Sequence, residues 1–156
     1  MQWVTRKGVK LDRSACAWLV LRHLDPQAEF LYLEAEPMQE AIAAGAKPFH
    51  NVTYAGPGSR TRSSFEDLLA ENGLAQSDPA LAEMATFIHA AEIGGEAGGT
   101  DDALRAITKG VNAQVHSDQE MVEQMLPIFD ALYTYCRRKV AGQTRWAGLE
   151  PGWGRG

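Results

Sequence analysis

The chain has 156 residues, enough for one domain with a real hydrophobic core. Apolar residues make up 45% and charged residues 22%, the balance of an ordinary globular protein. A formal net charge of −5 argues against broad, non-specific binding to nucleic acid.

The opening residues MQWVTRKGVK carry no apolar h-region, which predicts no secretory signal. QWVT, residues 2–5, reads as a short strand. Asp12 is placed to N-cap the next helix, which runs to about Leu24 and is closed by Asp25-Pro26. Its centre, Ala15-Cys16-Ala17-Trp18-Leu19-Val20-Leu21, is apolar on nearly every face, so it should be buried between layers. Seven apolar residues are too few to span a bilayer. Phe30-Leu31-Tyr32-Leu33 predicts a second strand, Pro37–Ala44 a helix with Gly45 as its cap, and Lys47–Val52 a weak third strand. Strand–helix alternation at this spacing points to a parallel sheet.

The second half reads as helical. Ser63 and Glu66 make a capping box for a helix to about Asn72. Asp78-Pro79 opens the next helix, with Leu81, Met84, Ala85 and Ile88 as its apolar face and Gly94-Gly95 as its stop. A further helix starts at Thr100-Asp101-Asp102 and carries Leu104, Ile107 and Val111. Ser117 and Glu120 make a second capping box. The helix they open has a steady stripe of Met121, Met125, Phe129, Leu132 and Cys136, a Pro127 expected to kink it, and Gly142 to end it. Tyr133 and Tyr135 on this helix read as packing residues.

The expected architecture is α/β. A small three-stranded, mostly parallel sheet with flanking helices precedes a C-terminal bundle of about four helices. Residues 1–142 form a single domain and 143–156 a Gly/Trp-rich tail. Cys16 and Cys136 make neither a CxxC nor a zinc spacing and should be buried, inert thiols of a cytoplasmic protein. No membrane partner is expected, and the apolar last helix leaves a homo-oligomer open.

Three constellations can carry chemistry. His89 and Glu92 share one helical face at i and i+3, so an imidazole and a carboxylate can meet one divalent transition metal. Glu96 follows just past the Gly pair, and His116, Asp118 and His50 are outside donors. The same spacing also serves a plain local ion pair. The loop AGPGSRTRSS, with Arg60 and Arg62, runs into a helix N-terminus and can cradle a tetrahedral oxyanion, or simply connect. Arg6 and Arg13 stand near the carboxyl edge of the sheet, where ligands tend to bind, whereas Arg22 faces elsewhere. Ion pairing with Asp12, Asp25 or a helix C-terminus is the alternative for these arginines. There is no GxGxxG loop and no Walker lysine, so no nucleotide cofactor is expected.

Read in order, WVTR, DRSACAWLVLRHLDP, FLYL, KPF, SFEDLL, DPAL, FIHAAE and IFDALYTYCR resemble the chromate-resistance (ChrB-type) family, specifically its C-terminal domain, across residues 3 to 138. The resemblance implies a soluble protein tied to chromate resistance and chromate-responsive regulation, sometimes described as exported. It implies that His89, Glu92 and Asp118 fall on the family's His and acidic positions. Two departures stand out. Ala17 replaces a family Pro, so the first helix should be straighter, and TYAGPGSRTRSSFE lacks the family's His. Without the extra N-terminal domain of longer ChrB-type proteins, no DNA binding is expected. Chromate is a tetrahedral dianion, which the arginines suit. The resulting expectation is a stress protein that binds a metal ion or a tetrahedral oxyanion. A metal-dependent enzyme on an anionic substrate and a regulatory or oligomerisation module are the alternatives.

Overall fold

The computed structural model describes residues 1–49, 61–94 and 100–146. Strand β1 (Gln2–Arg6) is central. It pairs in parallel with β2 (Glu29–Leu33) on one side and β3 (Lys47–Pro48) on the other, giving the order β2-β1-β3. Trp3 pairs with Phe30 and Thr5 with Tyr32 in this register. Within the described residues the third strand ends at Pro48. Pro48 has no N–H to extend the ladder, and the positions from His50 onward lie outside the described residues.

Helix α1 (Leu11–Leu19) crosses from β1 toward β2, and all of its residues except Arg13 are buried. The apolar run thus does what its composition requires, filling the space between the sheet and the helical layer. The helix passes Ala17 unbroken but does not stay regular to its end. Val20–Leu24 widens into a π-helical turn, closed where the Asp25 N–H donates to the Val20 carbonyl at 2.7 Å. Asp12 is not the N-cap of this helix. Lys10 holds that position, and Asp12, one residue into the helix, aims its carboxylate at another helix.

Helix α2 (Ala35–Ala43) begins two residues before Pro37, capped by Glu34, and closes on Gly45, whose φ of 108° no residue with a Cβ adopts easily. It covers the face of the sheet that carries Val4, with Met38 and Ala46.

The helical layer comprises α3 (Ser64–Glu71), the short α4 (Leu74–Ser77), α5 (Pro79–Ile93), α6 (Thr100–Gln114) and α7 (Asp118–Val140). Leu81, Met84, Ala85 and Ile88 of α5 are buried, as are Met121, Met125, Phe129 and Cys136 of α7, so both stripes face the core. Burial pushes the Cys136 thiol up to about 11, with Glu83 adding to it, so it stays protonated and unreactive at neutral pH. On α6, Leu104 is buried and Val111 packs against the core as the stripe predicts, but the position between them is shifted by one. Ile107 is exposed and Thr108 is buried, its hydroxyl satisfied by the Leu104 carbonyl at 2.8 Å. Helix α7 continues through Pro127 for 23 residues. Among the described residues, no helix is long and apolar enough to cross a membrane.

The far end of α1 is tied to α7 by a network that the sequence does not reveal. Trp18 Nε1 donates to Asp130 at 2.7 Å, and Arg22 grips both oxygens of the same carboxylate at 2.9 Å each. Arg22 therefore pairs with Asp130 rather than with Asp12, Asp25 or a helix end. The His23 ring lies 5.3 Å from the Trp18 ring and 5.2 Å from that of Tyr133, whose hydroxyl donates to Asp78. Its pairing with Arg22 holds the Asp130 carboxyl below the usual carboxylate range, with Trp18 reinforcing the effect. A carboxyl depressed in the folded state stabilises the fold above its unfolded pKa, and that contribution is lost as pH falls through its folded pKa. Acid titration of stability, followed by far-UV circular dichroism in urea, should therefore show a decline below about pH 4. The decline should be shallower in Asp130→Asn.

Candidate functional site

The carboxyl end of β1 is where the molecule concentrates polar chemistry. After Arg6 the chain turns through Gly8, at φ 83°, into α1. Two groups pin that turn from opposite sides. Asp118, the first residue of α7, accepts the Gly8 N–H at 3.1 Å and the Val9 N–H at 2.7 Å. The Arg13 guanidinium donates to the Gly8 carbonyl at 2.8 Å and to the Arg6 carbonyl. The turn is thus clamped by one carboxylate on its donors and one guanidinium on its acceptors.

Beside it, the buried Asp12 carboxylate accepts the Ser64 N–H at 2.7 Å and the Phe65 N–H at 3.0 Å, satisfying the first turn of α3 from outside that helix. The capping box of α3 is complete. Ser63 Oγ accepts the Glu66 N–H at 3.1 Å, and Glu66 Oε2 accepts the Ser63 N–H at 2.7 Å. The same Oε2 lies 2.8 Å from His89 Nδ1 on α5. Burial pushes the Glu66 carboxyl up, but the bonds from Ser63 and His89 outweigh it and hold the group below its ordinary range. An ionised carboxylate only accepts, so His89 carries its proton on Nδ1. The Nε2 atom of neutral His89 is then the ring's one lone-pair donor.

Glu92, one turn beyond His89, acts on Arg13. Burial lowers the Arg13 pKa and Arg6 adds to that, whereas Asp118, Asp12 and Glu92 oppose it. Arg6, Arg13, Glu92 and Asp118 therefore share one electrostatic neighbourhood at the sheet edge. Arg62 spends its guanidinium on Asp67, with Nε 3.0 Å from the carboxylate. His50, Arg60 and Glu96 lie outside the described residues. His116 offers its backbone N–H to Glu120 at 2.8 Å. The second capping box is accordingly half-formed. Ser117 accepts the Glu120 N–H, but the Glu120 carboxylate turns to His116 rather than to Ser117. Among the described residues, no three His, Cys, Asp or Glu side chains are grouped closely enough to enclose a metal ion by themselves.

The spacing of His89 and Glu92 suggests a pair on α5, but His89 Nδ1 meets Glu66, 23 residues away. Glu66 was visible in the sequence only as a capping residue. That it serves two ends at once depends on how α3 packs on α5, and periodicity carries no such information. Asp118 was legible as an acidic residue at a helix start, but its role in holding the Gly8–Val9 turn was not.

The fold and site define a class. This is an α/β domain whose parallel sheet presents a clamped strand–helix turn and a carboxylate–histidine pair at its carboxyl edge. Residues 3–136 match the family described as "ChrB, C-terminal domain", and the chain belongs to that family. It is 35% identical over 134 residues to Protein ChrB of Cupriavidus metallidurans, a match that takes in 86% of this chain and 40% of that protein. The chain thus spans well under two thirds of the relative's length. No solved structure matches it.

Proposed function

We propose that this chain is a chromate-resistance-type stress protein that binds a divalent transition metal through His89. The observation that carries this reading is the 2.8 Å contact between Glu66 Oε2 and His89 Nδ1. A carboxylate on one ring nitrogen fixes the tautomer, aims the ring and raises the basicity of the other nitrogen, which is the arrangement that outer carboxylates provide for metal-ligating histidines. Glu92 is the second donor, one turn along the same helix. Glu96 follows in the sequence as a further candidate, and water or an anionic ligand completes the sphere.

The oxyanion reading has less support from the side chains. Arg13 spends two donors on backbone carbonyls, and Arg62 is paired with Asp67. Asp118 is drawn into the Gly8–Val9 turn, where its carboxylate supports the site rather than joining the metal. An open coordination position would make metal-assisted chemistry on an anionic substrate the natural extension.

Elemental analysis of purified protein after zinc loading and dialysis tests the proposal. About one zinc per chain is expected in the wild type and none in His89→Ala. Glu66→Gln should weaken zinc binding by about 10- to 100-fold, the usual cost of losing an outer partner. Equal metal content in wild type and His89→Ala would remove the assignment.

A further inference from the structure

The other end of α7 carries a groove that the site above does not use. Helix α7 ends in a Schellman turn. The Gln143 N–H donates to the Arg138 carbonyl at 2.8 Å and the Gly142 N–H to the Lys139 carbonyl at 3.0 Å, with Gly142 at φ 74°. An Arg138 side-chain donor then reaches the Arg145 carbonyl at 2.9 Å, and the chain is laid back along its own helix. The fold-back encloses an open groove of about 420 Å³ lined by Ala131, Thr134, Tyr135, Arg138, Arg145 and Trp146 among others. That volume is in the range of small-ligand sites.

Its lining is unusual for this chain. Trp146 is 73% exposed, whereas Trp3 and Trp18 are 6% and 1% exposed. Tyr135 is 46% exposed, its ring anchored edge-on to Phe87 at 6.0 Å. Two guanidiniums accompany these rings, and no carboxylate side chain lines the groove among the described residues. In a protein of net charge −5 this is a local cationic patch with two exposed aromatic rings. Arg138, Arg145 and Trp146 also lie beyond residue 136, outside the stretch matched by the family.

We propose that this groove binds a small planar aromatic anion. The Trp146 and Tyr135 rings supply stacking surface, and Arg138 and Arg145 take the phosphate or carboxylate through charge-assisted hydrogen bonds. Calorimetric titration of the full chain at low salt, with AMP and indole-3-acetate as probes, tests it. At least one probe should bind. Adenosine, which lacks the anion, and inorganic phosphate, which lacks the ring, should each bind at least tenfold more weakly. Arg145→Ala and Trp146→Ala, which leave the backbone bonds of the turn in place, should each weaken the binding probe at least tenfold without moving the melting temperature. No binding of either probe at millimolar concentration, or equal affinity in both variants, would overturn the proposal.

Discussion

Asp12→Ala should destabilise the fold by about 3 kcal/mol, because it orphans two buried donors at once. The carboxylate is 3% exposed and accepts the Ser64 and Phe65 N–H groups at the start of α3. Neither donor can recover its bond from water without opening the contact between α1 and α3. Each unsatisfied buried group costs about 1–3 kcal/mol, and the helix also loses the favourable carboxylate at its positive end. Asp12→Asn keeps one carbonyl oxygen for one of the donors, so it should lose less, about 1–2 kcal/mol. Urea unfolding should show the order wild type, Asn, Ala in midpoint, with similar slopes. A wild-type midpoint in Asp12→Ala would mean that α3 is capped without help from α1. In that event the tie between α1 and α3 through Asp12 is weaker than its geometry implies.

Trp18→Ala should cost about 3–5 kcal/mol, the usual range for a fully buried large aromatic side chain. The residue is 1% exposed and sits in the main core. Its loss opens a cavity among α1, α5 and α7 and leaves Asp130 with Arg22 alone. Trp18→Phe separates the two contributions. It keeps most of the packing and removes only the indole donor, so about 1–2 kcal/mol is expected, less than half the loss in Trp18→Ala. Near-equal losses in the two variants, read from urea midpoints, would place the energy in the Asp130 bond rather than in the packing.

These two residues mark the limit of what sequence patterns convey. Alternation and helical stripes place β1, β2, α1, α5 and α7 because burial of one face is a local property with a fixed period. The stripe Leu81, Met84, Ala85, Ile88 is such a case, and all four residues are buried. Composition likewise identifies α1 as a core helix. Asp12 looks like an N-cap by position, but its real partners are 52 and 53 residues away. Glu66 reads as half of a capping box, which it is, yet its meeting with His89 follows from the packing of α3 on α5. Arg22 and Asp130, 108 residues apart, are chosen by the crossing of α1 and α7. In each case the sequence shows a charged residue that needs a partner, and the tertiary arrangement decides which one. The candidate site is therefore half legible. His89 and Glu92 are marked by spacing on one helix, whereas the carboxylate that orients His89 comes from another element.

In the proposed metal site, Glu66 holds His89 with Nδ1 protonated and Nε2 presented as the metal donor. ¹⁵N NMR of the histidine ring nitrogens, before and after one equivalent of Zn²⁺, tests it most directly. The expected spectrum of neutral His89 has a protonated Nδ1 and an unprotonated Nε2. Only Nε2 should shift strongly on adding zinc, while Nδ1 keeps its proton and its bond to Glu66. A His89 ring protonated on Nε2, or ring resonances that zinc leaves in place, would contradict the assignment.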